Sequence, residues 1–588
     1  MQLLFMLVYK RGKRHRLSFF MILFIFTYIY HLFISLRLKS GSRQSQMSVN
    51  TEKGTTSKVL VTDNISEEGI KKLREFGDVD VELDLSKEDL AVHIADYDAL
   101  VIRSGTTVTK EIIDAGKRLK VIGRAGVGVD NIDVERATEK GILVVNSPEA
   151  NSISAAEHTF AMLLSLSRKI PAANVSLKSG KWERKKHMGV EVNGKVLGTI
   201  GLGRVGSEVA KRAKGFGMRV VAHDPFISQD KAKELGITLL GFKEVLATAD
   251  FITLHTPLTK DTHHMIGKGE FELMKDGVRV INCARGGILD EDALKEAITA
   301  GKVAGAALDV FEHEPPDNDD LLELEEVIVT PHLGASTTEA QRAAAVVIAD
   351  EVIGALSNKP VKNALNMLYV EEELMDTVKQ YLVLAEKLGL LCAQLIPKSR
   401  RIEQFNVSYE GELGAVEAGI GKNTRMITVA LLKNFLSWFT DGVNYVNAEA
   451  IAKKFGVKIT ESKTEGVENF TSLISITLRT EGEFETTVSG TLFGKDDPRI
   501  VRIDGFWMDA SPSGHMLICS FIDKPRVIGP VCTILGDRSI NITGMRVGRE
   551  KIEGEAVMVL NVDNPVAGDI IEDIMKVENL IDVKLVKL

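Results

Sequence analysis

The chain has 588 residues, 44% of them hydrophobic and 26% charged, with 73 Lys and Arg against 81 Asp and Glu. Those are globular proportions that exclude a disordered or fibrous chain, and at about 150 residues per domain the length asks for roughly four folded units. A formal charge of -8 argues against nucleic acid as the main partner. Four cysteines without a CxxC pair are too few for a disulfide framework, which points to a reducing, cytoplasmic setting and gives no structural metal site.

The charge is unevenly spread. Residues 1–46 hold eight Lys and Arg and no acid, so the remaining 542 carry a net -16 (65 basic against 81 acidic). Leu17 to Leu36 is an uncharged run of 20 residues preceded by Lys10, Arg11, Lys13, Arg14 and Arg16, the pattern of a signal anchor. No small-residue cleavage site follows it, so a removed signal fits poorly. The favoured alternative is a start extended upstream, with initiation at Met47 and no membrane anchor.

From Ser57 onward short β-rich apolar runs alternate with amphipathic stretches, as in parallel α/β layers. Val59 to Val61, Ala99 to Arg103 and Val121 to Arg124 read as strands, and Glu67 to Phe76 as a helix. Ser154 and Glu157 stand at capping-box spacing before Thr159 to Leu166, predicting a long helix that leaves this first unit. A second unit follows from about Lys195. Its strands are expected at Thr199 to Ile200, Arg219 to Ala222, Phe251 to Leu254, Arg279 to Asn282 and Gly305 to Asp309, with one more at Val327 to Thr330 and a helix over Thr337 to Leu356. Together these predict two doubly wound flavodoxin- or Rossmann-like α/β domains. Beyond them, Val370 to Ile396 reads as helix, and Glu403 to Glu410, Leu473 to Arg479 and Glu483 to Gly490 as antiparallel strands of an α+β domain. From Met516 the order is strand, helix, strand, strand, helix, strand, a ferredoxin-like module.

The run Gly201-Leu202-Gly203-Arg204-Val205-Gly206 ends a strand and opens a helix. Its first glycine permits the turn, the second lets a pyrophosphate approach the backbone, and the third lets helix pack on strand. Asp224, ending the next strand, stands where a carboxylate binds a ribose diol and repels a 2'-phosphate, favouring NAD. As a plain turn residue before Pro225 it would have no such role. Arg285, Glu314 and His332 converge if each lies at the carboxyl end of its strand. The guanidinium would hold a carboxylate, the imidazole would take a hydroxyl proton, and the carboxylate would raise its basicity. Each alone has an ordinary explanation, as a surface ion pair, a solvated loop residue or a turn residue.

The glycine run, Asn282 to Gly287, Ala307 to Phe311 and Pro331 to Ser336 together resemble the D-isomer-specific 2-hydroxyacid dehydrogenase family. Gly123 to Asp133 and Asn151 to Glu157 resemble its branch acting on 3-phospho-D-glycerate, in the long form with an intervening domain and a terminal ACT domain. The resemblance implies a substrate-binding domain over 57–150 plus 332–366, an NAD-binding domain over 151–331, an intervening, allosteric substrate-binding-like domain over 370–512 and an ACT regulatory domain over 516–588. It implies that Arg285, Glu314 and His332 are catalytic. It also implies that Val127, Gly201, Gly203, Arg204, Val205, Gly206, Asp224, Thr256, Cys283, Ala284, Asp309, Leu333, Gly334 and Ala335 line NAD. Relatives often carry Thr where Val127 stands. The expected activity is NAD-dependent oxidation of 3-phosphoglycerate in serine biosynthesis, by a homo-oligomer. A phosphorylated substrate needs cations beyond Arg285, and Arg103 and Arg124, with Asn151, are the candidates. In the tail, Asp523 and Asn541 occupy the ACT positions expected to bind an effector such as L-serine, although Arg526 stands where such loops carry Gly and fits poorly if φ is positive there. The rival readings are a hydroxypyruvate or glyoxylate reductase of the same fold, and a scaffold that holds NAD without catalysis.

Overall fold

The computed structural model describes residues 57–317, 319–397, 400–415, 419–467, 469–482 and 484–588, so the extension expected over 1–46, whether anchor or mistaken start, lies outside the described residues. Among the described residues no helix is long and apolar enough to cross a membrane.

The first sheet holds β1 (Lys58–Val61), β2 (Asp78–Val81), β3 (Ala99–Ile102), β4 (Val121–Arg124) and β5 (Leu143–Asn146), all parallel in the order β2-β1-β3-β4-β5. All four residues of β3 and of β5 are buried, because helices cover both faces and a continuous apolar run is then stable. The second sheet holds β6 (Val196–Ile200), β7 (Arg219–His223), β8 (Thr238–Leu239), β9 (Phe251–Leu254), β10 (Val278–Asn282), β11 (Val303–Leu308) and β12 (Val327–Val329). Its order, β12-β11-β10-β9-β6-β7-β8, places the topological switch beside β6, where such sheets take their ligands. The two-residue edge strand β8 has no apolar run to announce it and was not expected.

Helix α1 (Ser152–Arg168) joins the two sheets, and α2 (Ile170–Lys178) follows it. The expected capping box is overturned. Asn151 is the N-cap and makes no side-chain cap bond, Ser154 Oγ donates to the Gly334 carbonyl at 2.8 Å, and Glu157 pairs with Arg212 at 3.1 Å. Tertiary partners took both side chains from the local motif. Helix α3 (Arg204–Gly215) follows β6, α4 (Glu291–Thr299) follows β10, and α5 (Thr338–Leu356) returns to the first sheet. There a Cβ at Gly123 would lie 2.7 Å from Val352 and 2.9 Å from Ile348, so α5 sits close enough to require glycine.

Helices α6 (Glu372–Leu395) and α7 (Thr424–Ser437) back a six-stranded sheet of β13 (Ile402–Gly411), β14 (Lys458–Thr464), β15 (Ser472–Thr480), β16 (Glu485–Phe493), β17 (Asp497–Ile503) and β18 (Phe506–Ala510). β13, β15 and β16 pair antiparallel as expected, and β14, which was not foreseen, joins β13 in parallel at the edge. Its seven residues include no buried one, so it carries no apolar signature. The C-terminal unit is β19 (His515–Ile522), α8 (Ile528–Asp537), β20 (Ile542–Arg549), β21 (Glu555–Val562), α9 (Gly568–Met575) and β22 (Leu580–Lys587), an antiparallel sheet ordered β20-β21-β19-β22.

Gly389 on α6 lies so near the Leu431 backbone of α7 that an added Cβ would collide with its carbonyl. Gly389→Ala is expected to destabilise the protein by about 1–3 kcal/mol. The check is a lowered thermal midpoint by scanning fluorimetry together with unchanged NAD affinity, since α6 contributes nothing to the cleft described next.

Candidate active site

At the carboxyl end of β6 each glycine of the run meets a different constraint. Gly201 has φ +91°, and a Cβ on it would lie 2.5 Å from the His255 carbonyl; Gly206 packs against the Gly201 carbonyl; Gly203 has no neighbour within 4 Å of where its Cβ would be. Two glycines therefore serve the protein's own packing, and Gly203 faces open space that a ligand can fill. Helix α3 starts with no acidic residue in its first turn and no side-chain cap, leaving its N-terminal amides free to attract an anion. Asp224 Oδ2 accepts from the Leu202 amide and Oδ1 from the Phe226 amide, both at 2.8 Å, so its carboxylate braces the glycine turn.

A cleft of about 300 Å³ opens over this turn. Of the residues expected to line NAD, it contains Val127, Gly203, Arg204, Val205, Thr256, Cys283, Ala284, Asp309, Gly334 and Ala335, together with Arg285 and His332. Gly201, Gly206, Asp224 and Leu333 lie outside its wall. Thr256 Oγ1 and Asn151 Oδ1, both on the cleft wall, are buried with no hydrogen-bond partner. Buried polar atoms are rarely left so, and two of them beside an open Gly203 suit a dinucleotide with a hydroxyl and an amide to bind. Cofactor and residues fit.

His332 adopts φ +52°, an uncommon conformation outside glycine. Its Nδ1 meets Glu314 Oε2 at 2.8 Å. Burial works against ionisation of Glu314, but the hydrogen bond and charge of His332, helped by the Phe311 amide, outweigh it and hold that carboxyl below its usual range. With Nδ1–H directed at a carboxylate, Nε2 is left with its lone pair free. Arg285 is carried by a turn that Asn282 ties at both ends, its Nδ2 donating to the Arg285 carbonyl at 2.9 Å and its Oδ1 accepting from the Ala284 amide at 3.1 Å. Gly286 then packs directly on the Phe311 backbone, three residues before Glu314, which locks the two loops together. The Arg285 Nε donates to Asp130 Oδ2 at 3.1 Å, a contact from the first-sheet unit across to the second.

Asp309 is wholly buried. Its Oδ1 accepts from the Leu333 amide at 2.7 Å and from the Thr330 hydroxyl, its Oδ2 accepts from the Gly334 amide at 2.8 Å, and His158 Nε2 lies 3.1 Å from Oδ1. Burial again opposes its charge, but His158, Thr330 and the Leu333 amide keep the carboxyl below the ordinary range. Asp309 borders the cleft, as expected, and its oxygens also hold the loop that carries His332. Cys283, buried against it, is pushed up to about 12, first by burial and then by the Asp309 charge, and is a neutral thiol.

On the substrate side, Arg103 and Asn151 meet Gly126, Ala335 and Gln341 around a small gap next to the cleft. Arg124 donates from Nε to Asn131 Oδ1 at 2.8 Å. Burial first, and then the charges of Arg285 and Arg103, pull the Arg124 guanidinium down to about 10. Residues not foreseen are His255, which burial pushes down to about 4 and so keeps neutral, Gln341, Ser154 and His158. His255 follows a strand end, a signal that was available; Gln341, Ser154 and His158 lie within helices and offer none.

In the tail, Asp523 and Asn541 are engaged elsewhere. Asp523 accepts from Arg549 and Asn541 donates to Asp563, at 2.7 and 2.8 Å, and Arg526 has φ +72°, the conformation that fits Arg poorly. A cavity of about 440 Å³ lies instead between Arg499 and Asp509 on one side and Arg546 and Asp563 on the other, without Asp523 or Asn541 in its wall.

Two doubly wound sheets with a dinucleotide cradle and an Arg, Glu and His set at strand ends make the architecture of a nicotinamide-dependent dehydrogenase. Residues 160–334 match the D-isomer specific 2-hydroxyacid dehydrogenase NAD binding domain, 377–504 the D-3-phosphoglycerate dehydrogenase intervening domain and 515–579 the ACT domain. D-3-phosphoglycerate dehydrogenase of Archaeoglobus fulgidus is 46% identical over 536 residues, covering 90% of this chain and 100% of that protein. The Bacillus subtilis protein of the same name is 43% identical, covering 90% and 99%. Among solved structures, a glyoxylate reductase from Paecilomyes thermophila superposes with TM-score 0.50 at 30% identity, covering 53% of this chain and 98% of that one. The chain belongs to the D-isomer-specific 2-hydroxyacid dehydrogenases, in the branch of the D-3-phosphoglycerate dehydrogenases, and its second sheet is their NAD-binding domain.

Because Gly203 touches nothing, Gly203→Val should fold, losing only about 1 kcal/mol as the cost of a poor N-cap residue, yet bind NAD at least about tenfold more weakly, the added side chain standing where the pyrophosphate approaches. Titration calorimetry beside a melting curve checks both halves.

Proposed function

We propose that this chain oxidises 3-phospho-D-glycerate to 3-phosphohydroxypyruvate, the first step of the phosphorylated route to L-serine. The observation that carries the reading is the three-arginine group of Arg103, Arg124 and Arg285. Burial depresses Arg124 first, and the charges of Arg285 and Arg103 add to it against the opposing pull of Asp130 and Asp63, so an anion brought to the group is favoured. A substrate with a carboxylate at one end and a phosphate at the other supplies it, whereas unphosphorylated glyoxylate or hydroxypyruvate brings only one of the two.

In the reaction Arg285 exchanges Asp130 for the substrate carboxylate, and Arg103 and Arg124 hold the phosphate. His332 Nε2 accepts the C2 hydroxyl proton, and Glu314 stabilises the imidazolium that forms. NAD bound in the cleft supplies the acceptor for the hydride leaving C2. The products are the ketone, the reduced cofactor and one proton, which His332 releases to water.

Assembly with a second copy is supported by α2, which has no buried residue although Ile170, Val175 and Leu177 are 51%, 65% and 58% exposed and Trp182 nearby is 76% exposed. An amino-acid effector such as L-serine fits the ACT domain, and cytoplasmic residence fits four free thiols.

An NADH absorbance assay should show turnover with 3-phosphoglycerate and far slower turnover with D-glycerate. The reverse preference would replace the reading with a reductase of unphosphorylated acids. His332→Ala should lower kcat roughly 10²- to 10⁴-fold with NAD binding intact. A carboxyl held below its ordinary value of 4.5 stays ionised across the assay range and favours the charged imidazole, so the pH at which kcat/KM reaches half its maximum should lie lower in Glu314→Gln than in wild type. An unmoved pH profile in Glu314→Gln would show that the carboxylate does not act on the proton acceptor.

A further inference from the structure

We propose that His158 is a positioning residue for His332, acting through Asp309. The inference rests on the reading of His332 as the proton acceptor.

Helix α1 presents Ser154 and His158 four residues apart, hence on one face. Both grip the segment that carries His332. Ser154 Oγ donates to the Gly334 carbonyl at 2.8 Å, beyond His332 in the chain, and His158 Nε2 meets Thr330 Oγ1 at 3.0 Å and Asp309 Oδ1 at 3.1 Å, before it.

Counting protons fixes the direction of these bonds. The single Thr330 hydroxyl proton goes to Asp309 Oδ1, so Thr330 accepts from His158, which must carry its proton on Nε2. The one Nε2 proton of His158 is shared between Thr330 Oγ1 and Asp309 Oδ1, which also takes the Thr330 hydroxyl and the Leu333 amide, while Oδ2 takes the Gly334 amide. The His332 amide bonds the Asp309 carbonyl at 2.9 Å.

These bonds hold a conformation that His332 would not keep alone. At φ +52° a non-glycine residue needs its surroundings to impose the backbone angle. If the His158 donor is removed, Asp309, which is wholly buried, loses one of its four donors and cannot turn to water for a replacement. The amides of Leu333 and Gly334 then lose a fixed acceptor, and the imidazole loses its aim. His158 is itself four-fifths buried, with a side-chain exposure of 19%, and does not line the cofactor cleft, so its effect reaches the reaction only through this chain of bonds.

The test compares His158→Leu, which deletes the donor at similar volume, with His158→Gln, whose amide N–H can reach nearly the same point. With 3-phosphoglycerate and NAD, the Leu variant should lose about 10- to 100-fold in kcat, as misplacement of a reacting group does. Its KM for NAD, and the NAD dissociation constant by fluorescence, should move less than about threefold, and the Gln variant should recover to within about fivefold of wild type. Wild-type turnover in the Leu variant, an equal loss in both variants, or NAD affinity falling as far as kcat would each overturn the proposal. A second readout needs no substrate: the rate at which diethyl pyrocarbonate modifies His332, followed by peptide mass, should match wild type in the Gln variant and differ by at least about threefold in the Leu variant. If wild type proves inactive on 3-phosphoglycerate, the proposed substrate is wrong and these modification rates alone decide the role of His158. Equal rates in all three proteins would then reject it.

Discussion

A carboxylate taken wholly out of water has to be surrounded by donors or give up its charge. Asp309 meets that demand by drawing two backbone amides, a hydroxyl and an imidazole onto itself, and the segment that supplies the amides is the one that carries His332. The left-handed turn at His332, the aim of its ring at Glu314 and the placing of Gly334 on the cofactor wall all follow from satisfying one buried charge. The same requirement explains why the strand end Leu308-Asp309 and the loop after β12 behave as one unit although they are separated in sequence.

Charge in the cleft is arranged unevenly. On the NAD side the protein is economical: bare amides at the start of α3, an open glycine, an unbonded hydroxyl and an unbonded amide oxygen await a partner, and no cation is buried there. On the substrate side Arg124 is lowered first by burial and then by the charges of Arg285 and Arg103, with Asp130 bonded to Arg285. Like charges held together in a partly buried site favour whatever anion relieves them, and the cross-sheet Arg285 to Asp130 contact ties that relief to how the two α/β units meet.

The C-terminal half is built on different terms. Its two sheets are antiparallel or mixed, with one face packed on α6 and α7 or on α8 and α9, and the cavity between them is lined by the Arg499–Asp509 pair and by Arg546 and Asp563. In this arrangement Asp523 and Asn541 are bonded to Arg549 and Asp563, so an effector seated on them would have to replace those partners.

Much of this was legible before any coordinates. The alternation of buried strands and amphipathic helices, the glycine turn and the βαββαβ order of the tail are local patterns whose periods follow from backbone geometry, and the chemistry of Arg285, Glu314 and His332 could be read from residue type and strand-end position. The capping-box spacing of Ser154 and Glu157 misled because Gly334 and Arg212, remote in the chain, offered those side chains better bonds. Edge strands β8 and β14 escaped notice because an edge strand with little to bury leaves no apolar run. The sequence alone determined which groups this protein has for binding a dinucleotide and moving a proton. Only the tertiary structure decided that Asp309 would also hold the loop of His332, that Asp224 would brace the glycine turn, and that His158 would stand behind His332, because the hydrogen bonds of a buried polar atom are allotted by three-dimensional neighbours that no spacing along the chain records.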